Sequence, residues 1–178
     1  MQSIVPARTI QELGKVLAKE ENKEVLVEFS PSQILFKYNG IELTSRLIEG
    51  KFPAYEKIFP KTNKTKIDVD TDELIQTIRR VALFARENNN NIKLAATNDG
   101  KLNISTDETK VGEEKAEIDI TMSGENNKIA LNAQYLLDAL SYLDIDKVCI
   151  ELNDKLSPAA IKPCKQEGYV YIIMPLKV

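Results

Sequence analysis

Apolar and polar positions alternate along this chain in a pattern that occurs three times. Ile4-Val5 leads into the helical run RTIQELGKVLAKE, Ile67-Asp68-Val69 into DTDELIQTIRRVALFARE, and Ile129-Ala130-Leu131 into NAQYLLDALSYL. The starts lie 63 and 62 residues apart, a period and not a scatter of helices. In the first helix Ile10, Leu13, Val16 and Leu17 follow the i, i+3, i+4, i+7 rule of a one-sided apolar stripe. Leu74, Ile78, Val81 and Ala82 do the same in the second, and Leu136, Leu137, Leu140 and Leu143 form a broader stripe in the third. Thr71 and Asn132 are the expected N-caps, because their side chains can accept from first-turn amides. Pro6 marks the entrance of the first helix, where a missing amide costs little.

Strand-like runs follow each helix. They are EVLVEFS, QILFKY and IELTSRLIEG, then NIKLAAT, KLNIST and KAEIDITMSG, then KVCIEL, SPAAIKP and GYVYIIMPLKV. Tyr38-Asn39-Gly40 and Asn98-Asp99-Gly100 predict tight hairpin turns, since Asn and Gly tolerate positive φ. Ile118, Ile120 and Met122 alternate as in a strand with one buried face. Each unit therefore reads β-α-β-β-β, which predicts an α+β fold with antiparallel sheets and helices on one face. Two units pair naturally around a shared core; with three, either one unit stands alone or the chain is part of something longer.

Composition narrows the chemistry. The sequence has 178 residues and no histidine, which removes Ser-His-Asp and Cys-His catalysis and His-containing zinc sites. Cys149 and Cys164 are too few for a thiolate cage or a disulfide framework, and reduced thiols are expected. The opening MQSIVPARTIQEL does not read as a secretory leader, and no apolar run approaches the ~20 residues of a membrane span. The net charge is −3, but residues 1–66 carry 11 basic and 8 acidic side chains, whereas residues 67–127 carry 7 and 13. Glu113, Glu114, Glu117 and Asp119 are the candidate metal ligands of an enzyme, and read more simply as a solvated acidic surface. Gly50-Lys51-Phe52 lacks the glycine frame of a phosphate loop. No cofactor and no catalytic residue is expected.

Four stretches resemble a known family: VPARTIQEL (5–13), SRLIEGKFPAYEKIFP (45–60), the helix entered from IALN, and YIIMPLKV (171–178). In order and spacing they are similar to the bacterial DNA polymerase III beta subunit, the sliding clamp. The resemblance implies that the chain is the C-terminal part of a longer protein of three similar domains. Residues 1–66 would be the second half of the middle domain and 67–178 the complete third domain. It implies a DNA-clamp fold whose helices line a ring around duplex DNA, and a non-catalytic processivity factor of a nucleotidyltransferase complex. Arg8, Lys15 and Lys19 on the first helix and Arg79, Arg80 and Arg86 on the second are then the DNA-facing residues. A weakly positive face suffices for topological binding, because tight phosphate contacts would impede sliding.

The resemblance also implies a cleft for short linear peptides from the DNA polymerase III alpha subunit, the clamp loader and repair polymerases. The matching positions are Pro53, Lys57 and Ile58; Asn132 and Tyr135; Leu156, Ser157 and Pro158; and Ile172, Met174, Pro175, Leu176 and Lys177. Lys57 and Lys177 stand where the family often carries arginine, which keeps charge but loses bidentate geometry. Asn89 stands where some members carry an aromatic residue. Leu83 and Phe84 match the apolar part of the family's homodimer contact. The implied location is the bacterial cytoplasm, with the nucleoid and no membrane. The competing reading of the same residues is a free-standing peptide-binding scaffold with no role on DNA.

Overall fold

The computed structural model describes residues 3–18, 24–107, 112–165 and 168–176. By its contacts the chain divides into two units, 1–54 and 55–178.

The N-terminal unit holds helix α1 (Ala7–Leu17) and strands β1 (Leu26–Phe29), β2 (Gln33–Tyr38) and β3 (Ile41–Arg46). The strands form one antiparallel sheet in the order β1-β2-β3. Its hairpin closes at Tyr38↔Ile41, with Asn39 and Gly40 both at positive φ as expected. Ile4 makes a single bridge to Ile48, and Thr9 Oγ1 donates to Ser45 Oγ at 2.8 Å, tying α1 to β3. Ile34 and Phe36 are its buried apolar residues, and no residue of α1 is fully buried.

The C-terminal unit holds β4 (Thr65–Asp70), α2 (Thr71–Ala85), β5 (Asn91–Thr97), β6 (Lys101–Ser105), β7 (Lys115–Asp119), β8 (Thr121–Gly124), β9 (Asn127–Asn132), α3 (Ala133–Ser141), β10 (Lys147–Leu152), β11 (Ala159–Pro163) and β12 (Tyr171–Ile173). Two antiparallel sheets result, ordered β12-β11-β10-β4-β8 and β7-β6-β5-β9. The opening strand of each repeat sits in the sheet of the other. β4 pairs with β10 from Thr65↔Leu152 to Asp70↔Lys147, and β9 pairs with β5 from Asn127↔Ala96 to Asn132↔Asn91. Helices α2 and α3 pack on each other, and Leu74, Ile78, Val81, Leu136 and Leu140 join Ile67, Leu94, Leu131 and Ile150 in one core cluster. Each such side chain contributes about 1.5–3 kcal/mol on full burial.

Two local expectations are corrected. Asp70, not Thr71, caps α2: its carboxylate accepts from Glu73 N at 2.9 Å, while Thr71 is the first helical residue and is buried. The run KAEIDITMSG is not one strand. It breaks at Ile120, whose amide donates to the Gly100 carbonyl at 2.9 Å, so β7 edges one sheet and β8 the other. Alternation survives the break because both halves bury the same parity of residue. Among the described residues no helix is long and apolar enough to cross a membrane.

Candidate peptide-binding groove

The groove is built where three segments of the C-terminal unit meet. The loop after β10 is organised by Asp154, whose Oδ1 accepts from the amides of Leu156 and Ser157, each at 2.9 Å. Its Oδ2 accepts from Ser157 Oγ at 2.9 Å. These donors, the Leu156 amide first, hold the Asp154 carboxyl below its ordinary value. The turn presents Leu156 to solvent, 63% exposed, and leads through half-buried Ser157 and Pro158 into β11.

After β12 the chain runs alongside β9, and Leu176 N donates to the Ala130 carbonyl at 2.9 Å. Leu156 and Leu176 thereby line one cavity of ≈ 530 Å³ with Ile129, Ala130, Lys93, Lys128 and Lys155. Met174 is 59% exposed, Pro175 is half-buried, and Ile172 opposes Ala160. Lys177 lies outside the described residues.

Asn132 caps α3, accepting from Gln134 N at 2.8 Å and Tyr135 N at 3.2 Å, and its Nδ2 donates to the Asn89 carbonyl at 3.0 Å. The cap fixes the first turn, where Tyr135 stands exposed. Burial raises the Tyr171 phenol, with Asp138 and then Tyr135 adding to the effect, so this end of α3 lies beside β12. Neither Asn132 nor Tyr135 lines the Leu156–Leu176 cavity. Lys57 closes a short 3₁₀ turn (Tyr55–Lys57), and Ile58, exposed, donates its amide to the Tyr55 carbonyl at 2.9 Å. Pro53 belongs to the N-terminal unit and is exposed there.

The other candidate residues are also placed. Arg79, Arg80 and Arg86 are exposed at and beyond the C-terminal half of α2, and Arg80 Nε pairs with Glu114 at 3.4 Å. Arg8 and Lys15 are exposed on α1, where Lys15 binds Glu12 at 2.8 Å; Lys19 lies outside the described residues. Leu83 is 55% exposed and Phe84 half-buried, its ring beside Gly112. The acidic candidates are held in ion pairs: Glu113 with Lys115, and Glu117 and Asp119 with Lys101. Among the described residues no three His, Cys, Asp or Glu side chains are grouped to hold a metal.

Sequence reasoning missed Asp154 and the lysines at the cavity. The Asp-x-x-Ser spacing of 154–157 is a readable signal of a side-chain-organised turn. The lysines come from separate segments and leave no such signal.

Residues 56–177 match the DNA polymerase III beta subunit, C-terminal domain, and residues 1–54 match its central domain. The chain belongs to the DNA polymerase III beta subunit family. It is 31% identical over 175 residues to the beta sliding clamp of Staphylococcus aureus, covering 98% of this chain and 46% of that protein. The DNA polymerase III subunit beta of Pseudomonas aeruginosa superposes with a TM-score of 0.91 at 29% identity, over 100% of this chain and 48% of that one. The sliding clamp of Bacillus subtilis gives 0.88 at 31% identity, over 99% and 47%. The chain thus spans about half the length of the beta subunits it matches. The expected α+β clamp fold is the one found.

Proposed function

We propose that this chain is part of a DNA polymerase processivity factor, a ring that encircles duplex DNA and tethers other replication proteins through a peptide groove. The chain acts without catalysis of its own. The first repeat is read as the closing half of a middle domain and the other two as a third domain. Arg8, Lys15, Lys19, Arg79, Arg80 and Arg86 face the duplex, sequence-independently; Leu83 and Phe84 serve homodimer contact in the full-length ring. Short linear peptides from the DNA polymerase III alpha subunit, the clamp loader and repair polymerases occupy the groove. The site of action is the nucleoid.

The observation that carries the peptide reading is the meeting of Leu156 and Leu176, two positions implied by the family and 20 residues apart in sequence, in one cavity over Ile129 and Ala130. An apolar concavity with a few polar groups at its edge is the chemistry of a groove that captures a short peptide by its aliphatic anchors. The test is a fluorescence-anisotropy titration of a labelled Gln-Leu-Ser-Leu-Phe peptide. Saturable binding that is lost in Leu156→Asp is expected; a peptide that binds Leu156→Asp as well as the parent chain refutes the assignment.

A further inference from the structure

Five carboxylates of the C-terminal unit are half-buried among the described residues: Asp68, Asp107, Glu114, Asp138 and Glu151. Four of them hold a cation: Asp68 pairs with Lys66, Asp107 with Lys93, Glu114 with Arg80 and Glu151 with Lys162. Asp138 on α3 does not. Its Oδ1 accepts from Gln134 Nε2 at 2.8 Å, and it forms no ion pair among the described residues. Asp144 and Asp146 are exposed and keep their water, whereas Asp138 gives up part of its hydration for one hydrogen bond from a neutral amide. Helix α3 contains no lysine or arginine to supply the missing charge.

The neighbours of Asp138 are tyrosines. Tyr135, Asp138 and Tyr142 lie at i, i+3 and i+7, on one face of α3 and its C-terminal cap. Tyr169 Oη donates to the Ala139 carbonyl at 3.0 Å, which ties the segment before β12 to the same helix. Burial raises the Tyr171 phenol, and Asp138, Tyr135 and Tyr142 add to the effect. Burial also raises the Tyr169 phenol, with Tyr171 and Tyr142 adding to it. Four of the six tyrosines in the sequence therefore gather on the face that holds Asp138. Tyr142 is 80% exposed, so its ring is open to a partner. Asp138, Tyr142, Tyr169 and Tyr171 all lie outside the lining of the Leu156–Leu176 cavity.

We propose that this face takes up an arginine side chain of a partner protein, its guanidinium on Asp138 and its plane against Tyr142 and Tyr171. A guanidinium satisfies both halves of the site, because it donates planar N–H groups to a carboxylate and stacks on aromatic faces. A lysine ammonium is a compact, strongly hydrated charge and gains less from the rings. Phosphates are repelled by Asp138 and find no cation on α3. The other four half-buried carboxylates take their cation from within the chain; Asp138 takes its cation from outside. The site is separate from the peptide groove and does not depend on it.

The test uses labelled peptides of glycine and serine that carry arginine, its neutral isostere citrulline, or lysine, with no aliphatic anchor for the groove. Each is titrated by anisotropy at about 0.05 M salt, where exposed charges are weakly screened. The arginine peptide is expected to bind about three- to tenfold tighter than the citrulline peptide, the yield of one ion pair and one ring contact, and tighter than the lysine peptide. Asp138→Asn brings the arginine-to-citrulline ratio toward one, and Tyr142→Leu lowers it. Asp144→Asn removes the same charge from an exposed position and leaves the ratio in place, as does Leu156→Asp in the groove. Melting curves verify the fold of each variant. Equal effects of Asp138→Asn and Asp144→Asn, or equal binding of the arginine and lysine peptides, reduce the attraction to net charge and overturn the proposal. Loss of binding in Leu156→Asp assigns the peptides to the groove and overturns it as well. Displacement of the arginine peptide by a single-stranded oligothymidine, lost in Tyr142→Leu, assigns the rings to base stacking and has the same consequence. So does failure of the arginine peptide to saturate the chain, an outcome that leaves the groove untouched.

Discussion

Gly124 ends β8 at φ 98°, opposite Thr65 in the register with β4. A Cβ at this position would fall on the Lys64 carbonyl oxygen and come within 2.9 Å of the Lys64 carbonyl carbon and 3.2 Å of Thr65 Cα. These atoms belong to backbone that is pinned from several sides. Lys64 N donates to Leu152 O at 3.0 Å, Glu125 N to Lys64 O at 3.1 Å, and Thr65 Oγ1 to Glu125 O at 2.7 Å. Asn127 Nδ2 adds bonds to Thr65 Oγ1 at 3.0 Å and Asn153 O at 2.6 Å. Gly124→Ala must therefore accept a strained φ, about 1–3 kcal/mol, and break at least the bond to the Lys64 carbonyl, about 0.5–1.5 kcal/mol. The sum is about 2–4 kcal/mol, or roughly 8–15 °C in Tm for a unit of this size. Gly168→Ala is the control: its φ is 103°, nearly the same, and a Cβ there meets nothing within 4 Å. Thermal and urea denaturation of both variants separate backbone strain from collision. If Gly124→Ala costs no more than Gly168→Ala, the Lys64 carbonyl yields easily and the reasoning fails.

Asn132→Ala removes the α3 cap and leaves the Asn89 carbonyl without its donor, a cost of about 1–2 kcal/mol in urea unfolding; a loss under about 0.3 kcal/mol would show that the cap is dispensable. The Asp154 carboxyl is depressed in the fold, so its contribution is present above the unfolded value of about 3.9 and is lost as pH falls through the lower folded value. The Leu156 and Ser157 amide resonances should accordingly hold steady down to about pH 4 and move only below it; a midpoint at or above 3.8 would contradict the turn described here. Burial pushes the Cys149 thiol up to about 12 and hides it from solvent, so a thiol reagent at pH 8 should label it only on unfolding. Modification of Cys149 in the native chain at the rate of a free thiol, read by mass spectrometry, would refute this.

Much of the architecture is legible in the sequence because the decisive signals are local. Helical stripes, the Asn132 cap and the two Gly-closed hairpins each depend on neighbours within a few residues, and the structure keeps the stripes of α2 and α3, the cap and both hairpins, whereas Ile10 of the first stripe is 48% exposed. The break at Ile120 is illegible because it is a choice between two partner strands, β6 and β4, that the alternation of Ile118 and Met122 serves equally well. The cap of α2 was misplaced by one residue because Asp70 and Thr71 are both good acceptors, and tertiary burial of Thr71 decides between them. At the groove, Leu156 and Leu176 came from the family resemblance and not from pattern, since an exposed leucine carries no periodic mark. The lysines at the cavity needed the fold, for Lys93, Lys128 and Lys155 are spread over 63 positions and converge only through the β5–β9 ladder and the loop after β10.

The exchange of β4 and β9 between sheets separates the unit of sequence from the unit of assembly. A repeat read along the chain is contiguous, but its opening strand finds its hydrogen-bond partner only in the other repeat. Neither repeat completes a sheet alone, and every ladder that closes one copy also commits the second. Sequence separations of some 80 residues along β4–β10 must be bridged before the pair of helices has its full floor to rest on. The C-terminal unit is thus an interlocked clasp: duplicated in its residues, it is singular as an object that folds, opens and turns over.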